Sequence, residues 1–577
     1  MSGARKMPDV GEKSNQEDFE QFANRTRYGG INRVPMPKTQ GFFFEFDDIL
    51  KFIGEFGSRQ SNLFFITCVF VNIPCAFQLI SLYFINGTPK FQCVTPSASA
   101  ICDVDKCCKN CSKYEFTENF TSTTTEYNLI CDRAYIAASM QAGFMAGMVV
   151  GSSLFGAVSD SYGRRFCMFL CGFLTFVFSI GAAYTHSLIL FTVLRVATAA
   201  SLTGLMYAQY VYTLEIVGAS YRTLVAQTSA LFWVIGNLGL ALLAYYIREW
   251  RTLLLIISCP PVLLIFLWRF VPESPRWLVA QGRTDEAARV LTKFCDNSSR
   301  SVNLSGWLKS ALEHCQLGQT GEEGKKSRYS PIDLVRTPRL RKRTIIFWFC
   351  WMVQCMVIYG FLFNLSDLAG NPYMNVLWTY GGDAVGVFLG WITIQKFGRR
   401  IPCCIFMIVG GVACLAVVAV PKNKQVVSTA LAIIGRFLIS LTFSVMWLYV
   451  SELYPTSIRN LALGSCSTFA RFGSMVSPYV VMMSQLPGLS VTLPMMIFGV
   501  LSVIAGVMVL WLPETLDANM CQTIEEVAVA EEYYGFVWMG KRVARPCSYF
   551  RSPVVEANSS QNLPEDQEFV NENSPLI

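Results

Sequence analysis

Twelve apolar runs, each about 20 residues long, follow one another along this 577-residue chain. They lie at about 60–85, 134–157, 166–185, 188–213, 224–247, 252–271, 344–366, 372–395, 401–420, 427–450, 463–485 and 492–512. A helix of that length spans a hydrocarbon core of about 30 Å, and in lipid it satisfies its backbone polar groups internally. One or two such runs would fit the core of a soluble protein. Twelve in series leave the bilayer as the solvent that suits them. Charge content agrees, since only 15% of residues are charged against about 25% in an ordinary soluble protein. The expectation is an all-α membrane protein with twelve transmembrane helices.

Charge and cysteine orient it. Residues 1–59 are polar and basic (Arg25, Arg27, Arg33, Lys38), with no cleavable signal peptide before the first span. Residues 272–343 are basic too, with "RTPRLRKRT" adjoining the seventh span. The positive-inside rule puts both segments in the cytoplasm, and an even number of spans returns residues 513–577 there. The formal charge of +7 is thereby a topology signal and calls for no nucleic acid. Residues 87–133 fall outside and hold six cysteines, Cys93, Cys102, Cys107, Cys108, Cys111 and Cys131, with glycosylation sequons at Asn110 and Asn119. Zinc ligation is the rival reading, but "CDVDKCCKNC" has no histidine, and an outer face favours disulfides. Six cysteines permit fifteen pairings, so connectivity stays open. Sequons at Asn24, Asn297, Asn303 and Asn558 face inward and stay unmodified.

The long loop splits the spans six and six, and three patterns recur across it in order. "GRR" stands at 163–165 and 398–400; Glu-x6-Arg at Glu215…Arg222 and Glu452…Arg459; "PE" plus a hydroxyl residue at 272–274 and 513–515. The offsets are 235, 237 and 241 residues. Such a repeat implies two parallel-related, pseudo-symmetric six-helix bundles, the plan of major facilitator transporters. The domains expected are a cytoplasmic segment 1–59, a bundle 60–271, a linker with short helices 272–343, a second bundle 344–512, and a largely disordered tail 513–577.

Both GRR motifs fall at a turn between the second and third spans of a half. Arginine near the glutamate that ends the fourth span can form charge-assisted, bidentate hydrogen bonds. The residues are Asp160, Gly163, Arg164, Arg165, Glu215 and Arg222 in one half, Arg399, Arg400, Glu452 and Arg459 in the other. They read as a cytoplasmic gate that holds the bundles closed inside and breaks when the cavity opens, with glycine supplying the turn. The plainer reading is that these arginines only anchor the loop.

"GAVSDSYGRRF", "PESPRWL" and "SELYPTSIRNLALG", with the cysteine-rich, sequon-bearing loop, resemble the organic cation/anion/zwitterion transporter family of the major facilitator superfamily. The resemblance covers nearly all of 45–520. One departure is Gln395, where the family usually carries an aspartate equivalent to Asp160.

Ionisable residues inside spans are functional candidates, because lipid burial costs several kcal/mol. Asp383 lies about 16 Å into the eighth span and Arg471 about 12 Å into the eleventh. They either bind substrate or only pair with each other. The resemblance implies that Asp383 is a cavity carboxylate for cations, and that Arg at 471 is typical of anion and zwitterion carriers. It also implies a lysine one turn after the acid in anion carriers, where this chain has Val387. Acid and arginine without that lysine fit a zwitterion. Tyr359 matches a cavity tyrosine of the family and would meet an ammonium through its ring. Gln227 and Ser229 are polar on a buried helix and complete the expected site. Trp351 points into the cavity or into lipid; Arg195 and Arg436 read as structural, bonding across helices.

Enzyme readings fail. The two histidines, His186 and His314, are far apart, and "GQTGEEGKKS" misses the G-x4-G-K-[ST] phosphate loop. No cofactor and no metal is called for. The expected function is secondary-active or facilitative transport of small organic zwitterions or cations across the plasma membrane by alternating access. An organic anion transporter and a non-transporting solute receptor are the alternatives. The partners are then a small organic ion and the lipid bilayer. Glu572, Leu576 and Ile577 have the spacing of an acidic dileucine signal, which a clathrin adaptor would read on a protein cycling through endosomes or lysosomes; a chance match in an acidic tail is the alternative.

Overall fold

The structure, a computed structural model, describes residues 46–95, 107, 113–117, 120–295, 308–313, 315, 330–363, 372–421, 424–455, 458–485, 490, 492–516 and 524–529. A short amphipathic helix, α1 (Phe46–Ile53), precedes the first long one. The first six long helices are α2 (Ser58–Asn86), α4 (Ala134–Tyr162), α5 (Arg164–Tyr184), α6 (Leu188–Glu215), α7 (Arg222–Tyr246) and α8 (Trp250–Leu267), with the short α3 (Thr123–Tyr127) between α2 and α4. The short helices α9 (Pro275–Ala280), α10 (Thr284–Phe294) and α11 (Asp333–Arg336) fall within 272–343, where the described residues 308–313 are helical as well. The second six are α12 (Pro338–Phe363), α13 (Pro372–Phe397), α14 (Arg400–Ala419), α15 (Gln425–Leu453), α16 (Arg459–Met482) and α17 (Leu493–Val509).

Among the described residues, nine of these helices are long and apolar enough to cross a membrane by length and composition. The other three hold the eighth, eleventh and twelfth places. α13 carries Asp383 and Lys396, α16 carries Arg471 and many hydroxyl residues, and α17 has only 17 residues. Proline marks several helix starts, at Pro338, Pro372 and Pro494, where a missing N–H costs nothing. Inside helices it leaves defects. Pro74 cannot donate back to Phe70, and the turn Cys68–Asn72 widens into a π-turn. Pro260 and Pro261 tighten α8 into a 3₁₀ turn at Pro260–Val262.

Packing repeats the internal symmetry. In the first half α2 packs on α7, α4 on α6, and α5 on both α6 and α8; in the second α12 packs on α16, α13 on α15, and α14 on both α15 and α17. Stepping six helices along the chain converts each pair into its counterpart. Two of the contacts that join the halves, α4 with α16 and α7 with α13, exchange under the same step. Small residues allow the closest approaches: Gly147 and Gly151 of α4 leave no room for a Cβ against the backbone of Val196 and Ala200 on α6. Large apolar side chains such as Val150, Leu154, Ile189, Val193, Leu242 and Phe266 are exposed, as a lipid-facing surface requires.

Strands β1 (Phe91–Thr95) and β2 (Lys113–Phe116) pair antiparallel, with Phe91 opposite Phe116 and Cys93 opposite Tyr114. A disulfide joins Cys107 to Cys131 just before α4, and Cys93 is also disulfide-bonded. Cys102, Cys108, Cys111, Asn110 and Asn119 lie outside the described residues, as do Glu572, Leu576 and Ile577.

Candidate functional site

The two GRR turns are built alike. Gly163 alone links α4 to α5 at φ +103°, and Gly398 follows α13 at φ +81°. A side chain would be strained at either φ, and it would also meet a carboxylate: a Cβ on Gly398 would lie 2.7 Å from Glu514 Oε2, and Gly163 abuts Glu273 likewise. Glu273 Oε1 accepts from the backbone N–H of Arg164 (2.9 Å), Arg165 (3.0 Å) and Ser274 (2.9 Å). Glu514 accepts from those of Arg399 (2.9 Å), Arg400 (3.1 Å), Thr515 (2.9 Å) and Leu516 (3.1 Å). Each carboxylate thus satisfies orphan donors and faces the positive end of a helix dipole. The sequence displayed these glutamates as part of the "PE" repeat, but nothing local to them showed which turn they would reach.

The arginine side chains lead to the fourth helix of each half. Arg164 donates to Ser159 O (2.8 Å), Asp160 Oδ1 (2.7 Å) and both oxygens of Glu215 (3.1 and 3.2 Å). Arg399 donates to Ile394 O (3.3 Å) and Glu452 Oε1 (2.8 Å). The Asp160 side chain is 75% exposed and that of Glu215 only 14%, so Glu215 is the stronger anchor. In the second half the residue at the place of Asp160 is Gln395, and the free oxygen of Glu452 accepts from Thr515 Oγ1 at 2.6 Å. Arg165 donates to the carbonyl of Trp268 and stacks 4.0 Å over its ring; Arg400 donates to Leu510 O at 2.6 Å. These bonds tie the third helix of each half to the end of the sixth.

Two expectations are corrected by this geometry. Each arginine–glutamate pair lies within one bundle, so it stiffens that bundle and does not bolt the two together. Arg222, expected in the gate beside Glu215, donates to the neighbouring Leu214 O (3.4 Å) and not to the Arg164–Glu215 pair. It opens α7 after the 3₁₀ turn Ala219–Tyr221 and donates to Asp47 Oδ1 on α1 (2.6 Å), where Arg276 also reaches at 3.5 Å. Arg459 correspondingly opens α16.

Four ionised side chains lie in the interior of the described long helices: Arg195, Asp383, Arg436 and Arg471. Asp383 pairs with Arg436 and not with Arg471, and its side chain remains 16% exposed. Arg436 donates to both its oxygens, at 2.7 and 2.9 Å, because α13 packs on α15; the ring of Tyr380 flanks the guanidinium at 5.2 Å. Arg195 is held by Gln78 Oε1 (3.1 Å), Ser81 Oγ (3.3 Å) and the ring of Phe144 (4.8 Å). Gln78 in turn bonds Ser179 and Ser258, closing a buried network in the first bundle.

Arg471 faces the other bundle. Its guanidinium donates to Tyr207 Oη on α6 (3.4 Å) and to Met148 Sδ on α4 (3.7 Å), and Tyr359 on α12 is near enough to feel its charge. Among the described residues no carboxylate lies within ion-pair distance of Arg471 or of Arg195. Tyr207 Oη lies 3.4 Å from Ser467 Oγ, a second contact between the bundles. Further contacts between them, Tyr479 Oη to Ser139 Oγ (3.1 Å) and Phe84 stacked on Tyr373 (5.8 Å), lie toward the end that carries residues 87–133.

Ser229, expected in the site, is buried and accepts from Asn72 Nδ2 at 2.7 Å. Gln227 is half-buried, and no hydrogen bond engages its side chain among the described residues. Trp351 faces neither cavity nor lipid; it is buried against Phe443 and Trp447 of α15, with ring centroids at 5.7 and 4.9 Å.

Comparison with known proteins agrees with this architecture. The sequence pattern of the "Sugar (and other) transporter" family matches residues 109–527. The chain is 34% identical to "Solute carrier family 22 member 15-like" of Xenopus tropicalis, over 84% of this chain and 96% of that protein. It is 27% identical to the "Organic cation/carnitine transporter 2" of Homo sapiens, over 84% of this chain and 94% of that one. The fold is similar to an inward-open structure of the xylose transporter XylE from E. coli, with a TM-score of 0.59 and 17% identity over 81% of this chain and 99% of XylE.

Proposed function

Because the chain belongs to the organic cation transporter family, solute carrier family 22 of the major facilitator superfamily, we propose that it carries a small organic ion bearing a carboxylate, a zwitterion first of all, across the plasma membrane. Proteins of this family are membrane transporters and not enzymes. One observation carries the substrate class. Arg471 presents a partly buried guanidinium between the bundles with no carboxylate partner among the described residues, while Asp383 is already neutralised by Arg436. A partly desolvated cation without an anion beside it is a ready partner for one, and a substrate carboxylate would supply it through a charge-assisted bond. The ring of Tyr207, whose hydroxyl accepts from the guanidinium at 3.4 Å, and that of Tyr359 would face the ammonium end of a zwitterion. Gln227, with no side-chain hydrogen bond among the described residues, would be a further polar contact.

Transport would proceed by alternating access between two stiff bodies. The Glu273 and Glu514 anchors and the arginine–glutamate pairs each hold one bundle rigid, so movement falls on the contacts between bundles. No nucleotide-binding loop was found in the sequence, and a solute or ion gradient would drive the movement. Both termini would lie in the cytoplasm, with residues 87–133 outside and the tail signal directing passage through endosomes.

Simple organic cations are a second reading, supported by the name of the human relative and by the presence of Asp383 in the eighth helix. Uptake of labelled carnitine, betaine and tetraethylammonium by proteoliposomes tests both. The proposal expects carnitine or betaine to accumulate ahead of tetraethylammonium. Tetraethylammonium alone would favour the cation reading, and binding with no accumulation under any gradient would make the chain a receptor.

A further inference from the structure

Arg471 is already occupied, by a group that imitates a substrate oxygen. The phenol of Tyr207 accepts from its Nη2 at 3.4 Å, and that bond runs from the second bundle to the first. The same phenol meets Ser467 Oγ at 3.4 Å, again across the interface. Tyr207 stands on α6 eight residues before Glu215, about 12 Å from the end that carries the GRR turns. Ser467 stands eight residues into α16, at the same height above that end. The phenol therefore joins the bundles on the far side of the Arg471 site from residues 87–133. At 3.4 Å the bond to a neutral oxygen is long and weak, and a carboxylate in the same place makes a shorter, stronger one in which both partners are charged.

We propose that Tyr207 is a positioning residue which holds Arg471 in the empty carrier, and that a substrate carboxylate displaces its phenol and so releases a tie between the bundles. This rests on the reading of Arg471 as a carboxylate anchor. Binding and movement are then coupled by one exchange of acceptors. The phenol sets the orientation of the guanidinium and competes with substrate for it. It also retakes the guanidinium as substrate leaves, which hastens release.

Tyr207→Phe keeps the ring and removes only the oxygen. Initial-rate uptake of labelled carnitine and of its methyl ester, which lacks the carboxylate charge, is measured in proteoliposomes. Wild type, Tyr207→Phe, Arg471→Gln and the double variant are compared. Loss of the competitor should lower KM for carnitine about fivefold and lower kcat as well, whereas for the ester, which does not compete with the phenol, KM should not fall and kcat should rise as the tie between the bundles is lost. The effect should vanish in the Arg471→Gln background. Equal changes for carnitine and ester would mean that Tyr207 only packs, and would overturn the proposal. If Arg471→Gln abolishes discrimination between the two solutes while Tyr207→Phe alters neither KM, the anchor reading stands and the Tyr207 proposal falls. If Arg471→Gln leaves discrimination intact, the anchor reading falls and takes the proposal with it.

Discussion

Arg436 grips Asp383 with both terminal nitrogens, at 2.7 and 2.9 Å, inside the second bundle. The arginine side chain is 4% exposed and the aspartate 16%. The pair cancels the one acid in the interior of the described long helices, so the charge left there is the positive charge of Arg195 and Arg471.

Removing one partner should therefore harm the fold before it harms recognition. Asp383→Asn leaves a buried guanidinium without its anion, a loss of about 3–5 kcal/mol in comparable buried pairs. The expected result is a lower melting temperature in detergent and reduced uptake, partly restored in Asp383→Asn/Arg436→Gln. A variant Asp383→Asn that melts like wild type yet fails to transport would instead make Asp383 a substrate ligand.

The carboxylates behind the GRR turns should behave as a matched set. Glu273→Gln and Glu514→Gln each weaken three or more charge-assisted bonds to backbone donors, and each should cost about 1–3 kcal/mol. Gly163→Ala should cost at least as much, because it adds a Cβ at φ +103° against Glu273. Thermal unfolding followed by intrinsic fluorescence measures all three. Unchanged melting in Glu273→Gln would remove the helix-anchoring role.

Arg164→Ala and Arg399→Ala should loosen one bundle each. Cys167 and Cys403, three and four residues beyond the two arginines, are fully buried in the intact protein. Maleimide labelling mapped by mass spectrometry should rise at Cys167 in the first variant and at Cys403 in the second. Labelling that rises at both sites in either variant would mean that the pairs act between bundles after all.

Much of this was legible in the chain because its signals are local or repeated. Twelve apolar runs announced the helices, and repetition at a near-constant offset exposed the two halves. The pairing of Arg164 with Glu215 was also readable, since both sit at helix ends on one side. What escaped depended on the rotation of helices about their axes. Asp383 and Arg471 lie at similar depths, which suggested a common site, yet depth says nothing about facing. Packing of α13 on α15 turns Asp383 toward Arg436 and leaves Arg471 to Tyr207, 264 residues away in the chain. Ser229 was lost for the same reason, being turned toward Asn72. Glu273 stood in a visible motif, but its contact with Arg164 spans 109 residues.

The tail makes a separate claim. An acidic dileucine signal needs an accessible, extended segment, and residues 552–577 are rich in Ser, Asn, Pro, Glu and Gln and poor in apolar residues. Leu576→Ala/Ile577→Ala should raise the surface fraction about twofold or more, an order-of-magnitude expectation for losing a single sorting contact. Equal surface biotinylation of wild type and double variant would exclude the signal.

If Arg471 recognises a carboxylate, a matched pair of solutes that differ in that group alone will reveal it. Competition of carnitine and carnitine methyl ester for one labelled substrate gives a ratio of inhibition constants that isolates the carboxylate charge. A charge-assisted bond of about 1.5–3 kcal/mol predicts a ratio of about ten or more in favour of carnitine for wild type. In Arg471→Gln the ratio should collapse to about one. A ratio near one in wild type, or one that survives in Arg471→Gln, would contradict the account.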